Sequence, residues 1–218
     1  LSRELGEVYG DLVGGGDGRV LVPLVVQYAD FAVWQRERLA GEWLVGELGW
    51  WRGALDGLSG LALPTDRARP AVQGHRGAGF GFVVDRAVVE SVGVVARGSS
   101  ATSFMVALAV WAVVLGRWCG HDEVVVGAPI AGRDRAELEG LIGFFVNTLV
   151  LRVDVSGDPT FAELVGRVRE VALGAYAHAE VPFEKLVEEL APQRDLSRNP
   201  LFQVTFQLFD SPAAEGGI

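Results

Sequence analysis

The spacing of apolar positions changes several times along this chain, and each spacing predicts a different element. Leu1, Leu5, Val8 and Tyr9 recur on one face of a helix that ends near Leu12. Glycines over residues 14–18 break it. A helix is predicted over 27–39, with Tyr28, Phe31, Ala32 and Trp34 clustered and 35–38 solvated, and a second over 42–55 with Trp43, Trp50 and Trp51. Two prolines and a charge cluster over 63–70 forbid regular structure and mark a linker. A short strand follows over 79–85, and Asp85 is placed to cap a helix over 86–97. Thr102 or Ser100 caps the next helix, which ends at 117–119 with Gly120 beyond. The three valines in 123–128 predict a strand buried on both faces. Residues 144–155 form another strand. Asp158-Pro159 then reads as a helix start, and the following helix turns Phe161, Leu164, Val165, Val168, Val171, Ala172, Ala175 and Tyr176 to one side. Val181-Pro182 opens a short helix through Leu190, and strict alternation over 203–209 predicts a strand with Val204, Phe206 and Leu208 inward. Strands interleaved with helices give an α/β class.

Composition narrows this picture. Half of the 218 residues are apolar and 22% are charged, which excludes general disorder. A net charge of −9 argues against nucleic acid and anionic lipid as partners. The longest apolar run, residues 104–115, is shorter than the ~18 that a membrane span needs and reads as a core helix. Arg3, Glu4 and Glu7 interrupt any signal-peptide pattern, and one cysteine, Cys119, excludes an internal disulfide, so a cytoplasmic location fits. The chain does not begin with Met and is expected to be a piece of a longer polypeptide. Eighteen arginines stand against one lysine, Lys185, and only two asparagines occur. In so Asn-poor a chain, Asn147 and Asn199 answer local needs.

Candidate chemistry is sparse. His75, His121 and His178 have no metal-ligand spacing with one another or with Cys119, and each reads as structural; no metal or bound cofactor is expected. The glycines over 14–18 lack the Gly-Lys-Ser/Thr of a phosphate loop and read as plain loop. Four stretches stand out: Gln27 to Trp34, with an acid, Asp30, facing aromatics; Gly127 to Arg133, a buried strand leading into a turn and a single Arg; Ile142 to Arg152, with Asn147 among large apolar residues; and Arg194 to Phe202. Singly, each has an ordinary reading as helix, turn or strand.

Together and in this order they resemble the later motifs of the condensation domains of nonribosomal peptide synthetases. Tyr-x-Asp-aromatic-Ala-x-Trp matches Tyr28, Asp30 and Trp34; Gly-Phe-Phe-Val-Asn-Thr matches Gly143, Phe144, Phe145, Asn147 and Thr148; Pro-Phe-Glu matches Pro182, Phe183 and Glu184; and Arg-Asp-x-Ser-Arg-Asn-Pro-Leu matches Arg194, Asp195, Arg198 and Asn199. One departure is His178-Ala179-Glu180-Val181, where the family has His-Gln-Asp. The resemblance implies a partial chloramphenicol-acetyltransferase-like sandwich of two α/β lobes. Residues 1–63 would end the first lobe, 64–78 form a linker, 79–210 belong to a truncated second lobe and 211–218 form a tail. It also implies amide formation between an acyl thioester donor and an aminoacyl acceptor, both on phosphopantetheine arms of carrier proteins, with an adenylation domain adjacent. The family signature His-His-x-x-x-Asp-Gly does not occur in these residues, so the catalytic groups are expected just upstream of Leu1 and the fragment alone is expected to be inactive. Within the chain, Arg133 would brace the site by pairing with the Asp of that signature. Gly143 to Thr148 would form tunnel wall or floor; Asn147 either holds backbone there or is an exposed strand position. A non-catalytic platform that recruits partner enzymes is the alternative, and an epimerization domain of the same fold fits the motifs less well. Truncation would leave Tyr28, Phe31, Trp34, Trp50 and Trp51 without partners and the isolated chain insoluble or oligomeric.

Overall fold

The computed structural model of the chain describes residues 1–74, 76–190 and 195–209. His75, Arg194 and the 211–218 tail lie outside the described residues. The rest forms two compact units. Leu1–Leu44 with Ala131–Val146 makes the first; Val45–Ile130 with the described residues of 147–218 makes the second.

The second unit holds most of the core. Its sheet pairs β1 (Glu123–Ile130) with β2 (Asn147–Asp154) antiparallel, Val126 opposite Leu151 and Pro129 opposite Thr148. The Val124 to Val126 run is buried on both faces, as its lack of alternation predicts. Two long helices cover this sheet. In α5 (Ser103–Cys119) the Thr102 hydroxyl accepts the Met105 amide at the N-terminus, and Gly120 closes the other end in the left-handed conformation. The apolar run is a core helix: Met105, Val106, Leu108, Ala109, Ala112 and Leu115 are buried. Leu164, Val165, Val168, Ala172 and Ala175 of α7 (Phe161–Ala177) are buried, and the helix packs on β2 and α5. α4 (Arg86–Gly98) packs on α5, and α8 (Phe183–Leu190) on β2. Among the described residues no single helix is long and apolar enough to cross a membrane.

The first unit comprises α1 (Ser2–Val13), α2 (Tyr28–Arg38), the start of α3 (Gly41–Ala54) and a loop carrying the one-turn α6 (Ala136–Glu139). Its buried cluster is Leu138, Leu141 and Phe145, with Val26 and Phe31 against it.

Several expectations are corrected. Residues 79–85 form no strand: Phe80 and Val83 are 90% and 97% exposed, and no described strand pairs with the segment. The alternating 203–209 stretch makes a single parallel bridge, Thr205 to Gly127, instead of a full strand; Val204 and Phe206 pack against the core, but Leu208 does not. Asp158 does not cap α7. Thr160 and Glu163 form a reciprocal capping box just beyond it, and Asp158 adopts a φ of 49°. Asp85 sits at the N-cap of α4 without a side-chain cap bond. The apolar face of α1 is uncovered: Leu1, Leu5 and Tyr9 are exposed. The aromatic residues expected to lack partners have them. Trp51 is buried and meets Trp50 edge-on at 4.8 Å, while Phe31 meets Phe145 at 4.7 Å and Trp34 at 5.8 Å.

Candidate functional site

The candidate residues fall into one constellation in each unit. In the first, Tyr28 begins α2. Its hydroxyl donates to the Phe144 carbonyl at 3.1 Å, and its ring lies so close to Gly143 that a β-carbon there would overlap it. The Tyr28 ring also meets Phe145 edge-on, 5.3 Å between centroids. Arg133 stacks its guanidinium over Phe145 at 4.2 Å and donates to the Leu138 carbonyl. Gly132, at φ 62°, leaves room for the Phe145 carbonyl where a side chain would stand. Arg133 thus ties the two ends of the 131–146 loop together. Arg135 stacks over Trp34 at 4.6 Å. Asp30 does not face the aromatics: it is exposed, and its carboxylate accepts the Gln27 amide at 2.8 Å as half of a capping box. Two motifs about 115 residues apart in sequence therefore meet in one clamp.

In the second unit Asn147 opens β2 and uses its whole amide. Its Nδ2 donates to the carbonyls of Ala179 and Val181, both at 2.8 Å. Its Oδ1 accepts the amides of Thr148 at 2.8 Å and Phe183 at 2.9 Å. A half-buried amide needs such partners or costs about 1–3 kcal/mol. Asn147 therefore pins the 179–183 turn, with Pro182 and Phe183, to the start of the strand; the Pro182 carbonyl accepts the Lys185 and Leu186 amides of α8, and the Phe183 ring meets Phe202 at 5.4 Å. Thr148 pairs with Pro129 across the sheet.

The last motif caps itself. Asp195 accepts the Ser197 amide and the Arg198 guanidinium, each at 2.8 Å. The Ser197 contacts first, then Arg198, hold its carboxyl below the usual carboxylate range. Asn199 Oδ1 accepts the amides of Leu201 and Phe202, turning both side chains into the core. Phe202 lies on Gly127, where a side chain would collide with its ring. The 64–78 stretch joins this turn: the Gln73 amide donates to the Leu196 carbonyl at 2.9 Å.

One cluster is not legible from the sequence pattern. His178 caps α7, shares a 2.8 Å hydrogen bond through Nδ1 with Glu47, stacks on Trp50 at 4.2 Å and receives the Trp51 indole N–H on its carbonyl at 3.0 Å. The helix-end position of His178 is visible in the sequence; its pairing with a carboxylate 131 residues away is not. Burial pushes the Cys119 thiol up, away from the reactive thiolate. No group of three metal-ligating side chains occurs among the described residues.

The Condensation domain family matches residues 1–213. The chain belongs to this family. It is 49% identical over 208 residues to a linear gramicidin synthase of Brevibacillus parabrevis, covering 94% of this chain and 3% of that protein. The X-domain of teicoplanin biosynthesis, in its complex with OxyB, superposes with a TM-score of 0.85 at 34% identity, over 94% of this chain and 46% of that one. The first condensation domain of the calcium-dependent antibiotic synthetase, bound to a substrate analogue, superposes with a TM-score of 0.65 at 25% identity, over 86% of this chain and 40% of that one. The chain thus carries part of the α/β condensation-domain fold of nonribosomal peptide synthetases, spanning under half of these solved domains and a small fraction of the synthetase. In this condensation-domain chain the Gly143–Thr148 motif is divided between the two units: Gly143 to Phe145 belong to the first-unit clamp with Tyr28, while Asn147 holds the 179–183 turn and Asn199 the last motif in the second unit.

Proposed function

We propose that the domain containing this chain forms an amide bond between two carrier-bound substrates. The acceptor amine attacks the donor thioester carbonyl, the C–S bond breaks, the donor carrier's phosphopantetheine thiol leaves, and the amine gives up a proton. The observation that carries this reading is the family match over residues 1–213 together with four motifs in family order, each built into defined hydrogen bonds. Donor and acceptor carrier proteins and an adjacent adenylation domain are the partners, no bound cofactor is required, and the setting is cytoplasmic.

In this reading residues 1–63 close the first lobe, 64–78 cross between lobes, 79–210 build the second and 211–218 trail it. The chain supplies walls and bracing rather than the bond-making groups, because His-His-x-x-x-Asp-Gly does not occur in it. Gly143 to Thr148 line the tunnel. Arg133, already committed to Leu138 and Phe145, adds a carboxylate partner from that signature and acts as a brace. Holding two tethered reactants in line is the main physical contribution such a tunnel makes. The test is incubation of the intact domain with a loaded donor and a loaded acceptor carrier, read by mass spectrometry of the acceptor arm. The acceptor gains the donor acyl mass if the reading holds; arms that never change mass refute it.

One observation favours a second reading, a platform that recruits a partner enzyme: the close superposition on the X-domain in its complex with OxyB. An intact domain that captures a partner enzyme but leaves both carriers unchanged would select it.

A further inference from the structure

Helix α7 ends in a turn that two segments distant in sequence hold. At its start, His178 is gripped by α3. Glu47 Oε2 takes the Nδ1 hydrogen bond at 2.8 Å, and the Trp50 ring stacks on the imidazole at 4.2 Å. The buried Trp51 donates its indole N–H to the His178 carbonyl, a helix-end acceptor with no partner within the helix. Gly174, one turn earlier on α7, makes room for the Trp50 ring: a β-carbon there would stand 2.9 Å from it. A carboxylate only accepts, so Nδ1 carries the proton and the ring orientation is fixed. The second grip is that of Asn147, whose amide holds the Ala179 and Val181 carbonyls and the Phe183 N–H. Residues 178–183 therefore form one strap between α3 and the start of β2.

We propose that Glu47 is a positioning residue: by fixing His178 it holds the strap, and through the strap it holds Asn147 and Thr148 where they line the tunnel. The proposal rests on the amide-forming reading above. Glu47 is not among the four partners of Asn147, so its influence travels through the backbone of residues 178–183. Releasing the His178 end lets the Ala179 and Val181 carbonyls and the Phe183 amide move relative to Asn147, and the wall residue follows them. A displacement of about 1 Å in groups that align two reactants costs on the order of a hundredfold in rate. Helix α3 also reaches α8 through Arg52, paired with Glu189, but that contact bypasses the strap.

The test compares Glu47→Ala, Glu47→Gln and Arg52→Ala in the intact domain. Turnover is measured with loaded donor and acceptor carriers, and the Asn147 side-chain amide is followed by NMR, both well below the Tm of each variant. Glu47→Ala shifts the Asn147 amide resonances and lowers kcat by about tenfold, with KM for both carriers unchanged. Glu47→Gln, whose side-chain oxygen still accepts the Nδ1 proton, restores both. Arg52→Ala, which removes only the pair with α8, changes neither. An Asn147 resonance or a kcat left unchanged by Glu47→Ala, equal effects in Arg52→Ala, or a kcat that Glu47→Gln fails to restore overturns the proposal while the amide-forming reading stands. A wild-type domain that joins no pair of substrates overturns both.

Discussion

Helices α1 and α7 are both amphipathic, yet they meet different fates. Five apolar residues of α7 are buried against β2 and α5, whereas α1 buries none and leaves Leu1, Leu5 and Tyr9 in solvent. The same contrast holds for their units. The second assembles one continuous core from Trp51 to Phe202; the first has three buried residues, Leu138, Leu141 and Phe145. Periodicity therefore says that a face is built for burial, while the presence of a partner element decides whether it is buried.

The largest way to break this contrast is Asn147→Asp. The new carboxylate would face the carbonyls of Ala179 and Val181 with no proton to give, and two acceptors that lose their donors beside a half-buried charge cost upwards of about 3 kcal/mol. The introduced carboxyl has a folded pKa above its unfolded value, so the loss is greatest at neutral pH and shrinks as acid protonates it. Urea midpoints at pH 7 and pH 4 measure both effects; equal midpoints for wild type and variant would show that the turn does not depend on this amide.

Leu151→Ala against Leu5→Ala tests the contrast directly. Removing the fully buried Leu151 costs about 2–5 kcal/mol. Removing the exposed Leu5 stays within about 0.5 kcal/mol. Similar costs by urea denaturation of the chain would mean that α1 is packed as well as β2. Gly143→Ala sharpens the account of the first unit, since its β-carbon must displace the Tyr28 ring; overpacking of this kind costs about 1–3 kcal/mol. A neutral result would mean that the clamp is loose.

The smallest effect belongs to Asp195. Its folded pKa is depressed, so its contribution is present above the unfolded carboxylate value near 3.9 and is lost as pH falls through the folded one. An NMR titration should find its midpoint below the ordinary range, and Asp195→Asn should remove a small part of the acid dependence of stability. An ordinary midpoint would show that the Ser197 and Arg198 contacts do not persist.

Much of the second unit is legible in the sequence because its signals are local. The apolar run of α5, the Gly120 terminator, the three valines of β1 and the face of α7 each specify an element and find a partner within the chain. Residues 79–85 show the opposite case: alternation and β-branching suit the segment to a strand, but a strand also needs a neighbour to bond. At Asp158 two local signals compete, and the reciprocal Thr160–Glu163 box satisfies more amides than an Asp-Pro start could. In the candidate site, the scarcity of Asn singles out Asn147 but not its four partners, because three of them come from the turn 32–36 residues later. The Tyr28–Gly143 clamp and the Glu47–His178 pair are illegible for the same reason: they depend on long-range packing.

On the proposed reading, these 218 residues shape and brace a condensation site and the bond-making groups lie outside them. The most direct measurement adds the isolated chain to loaded donor and acceptor carriers, beside the intact domain and a no-protein control, and follows the acyl mass on the acceptor arm. Transfer is expected with the intact domain and none above control with the chain; amide formed by the chain alone would place the chemistry within these residues and contradict that reading.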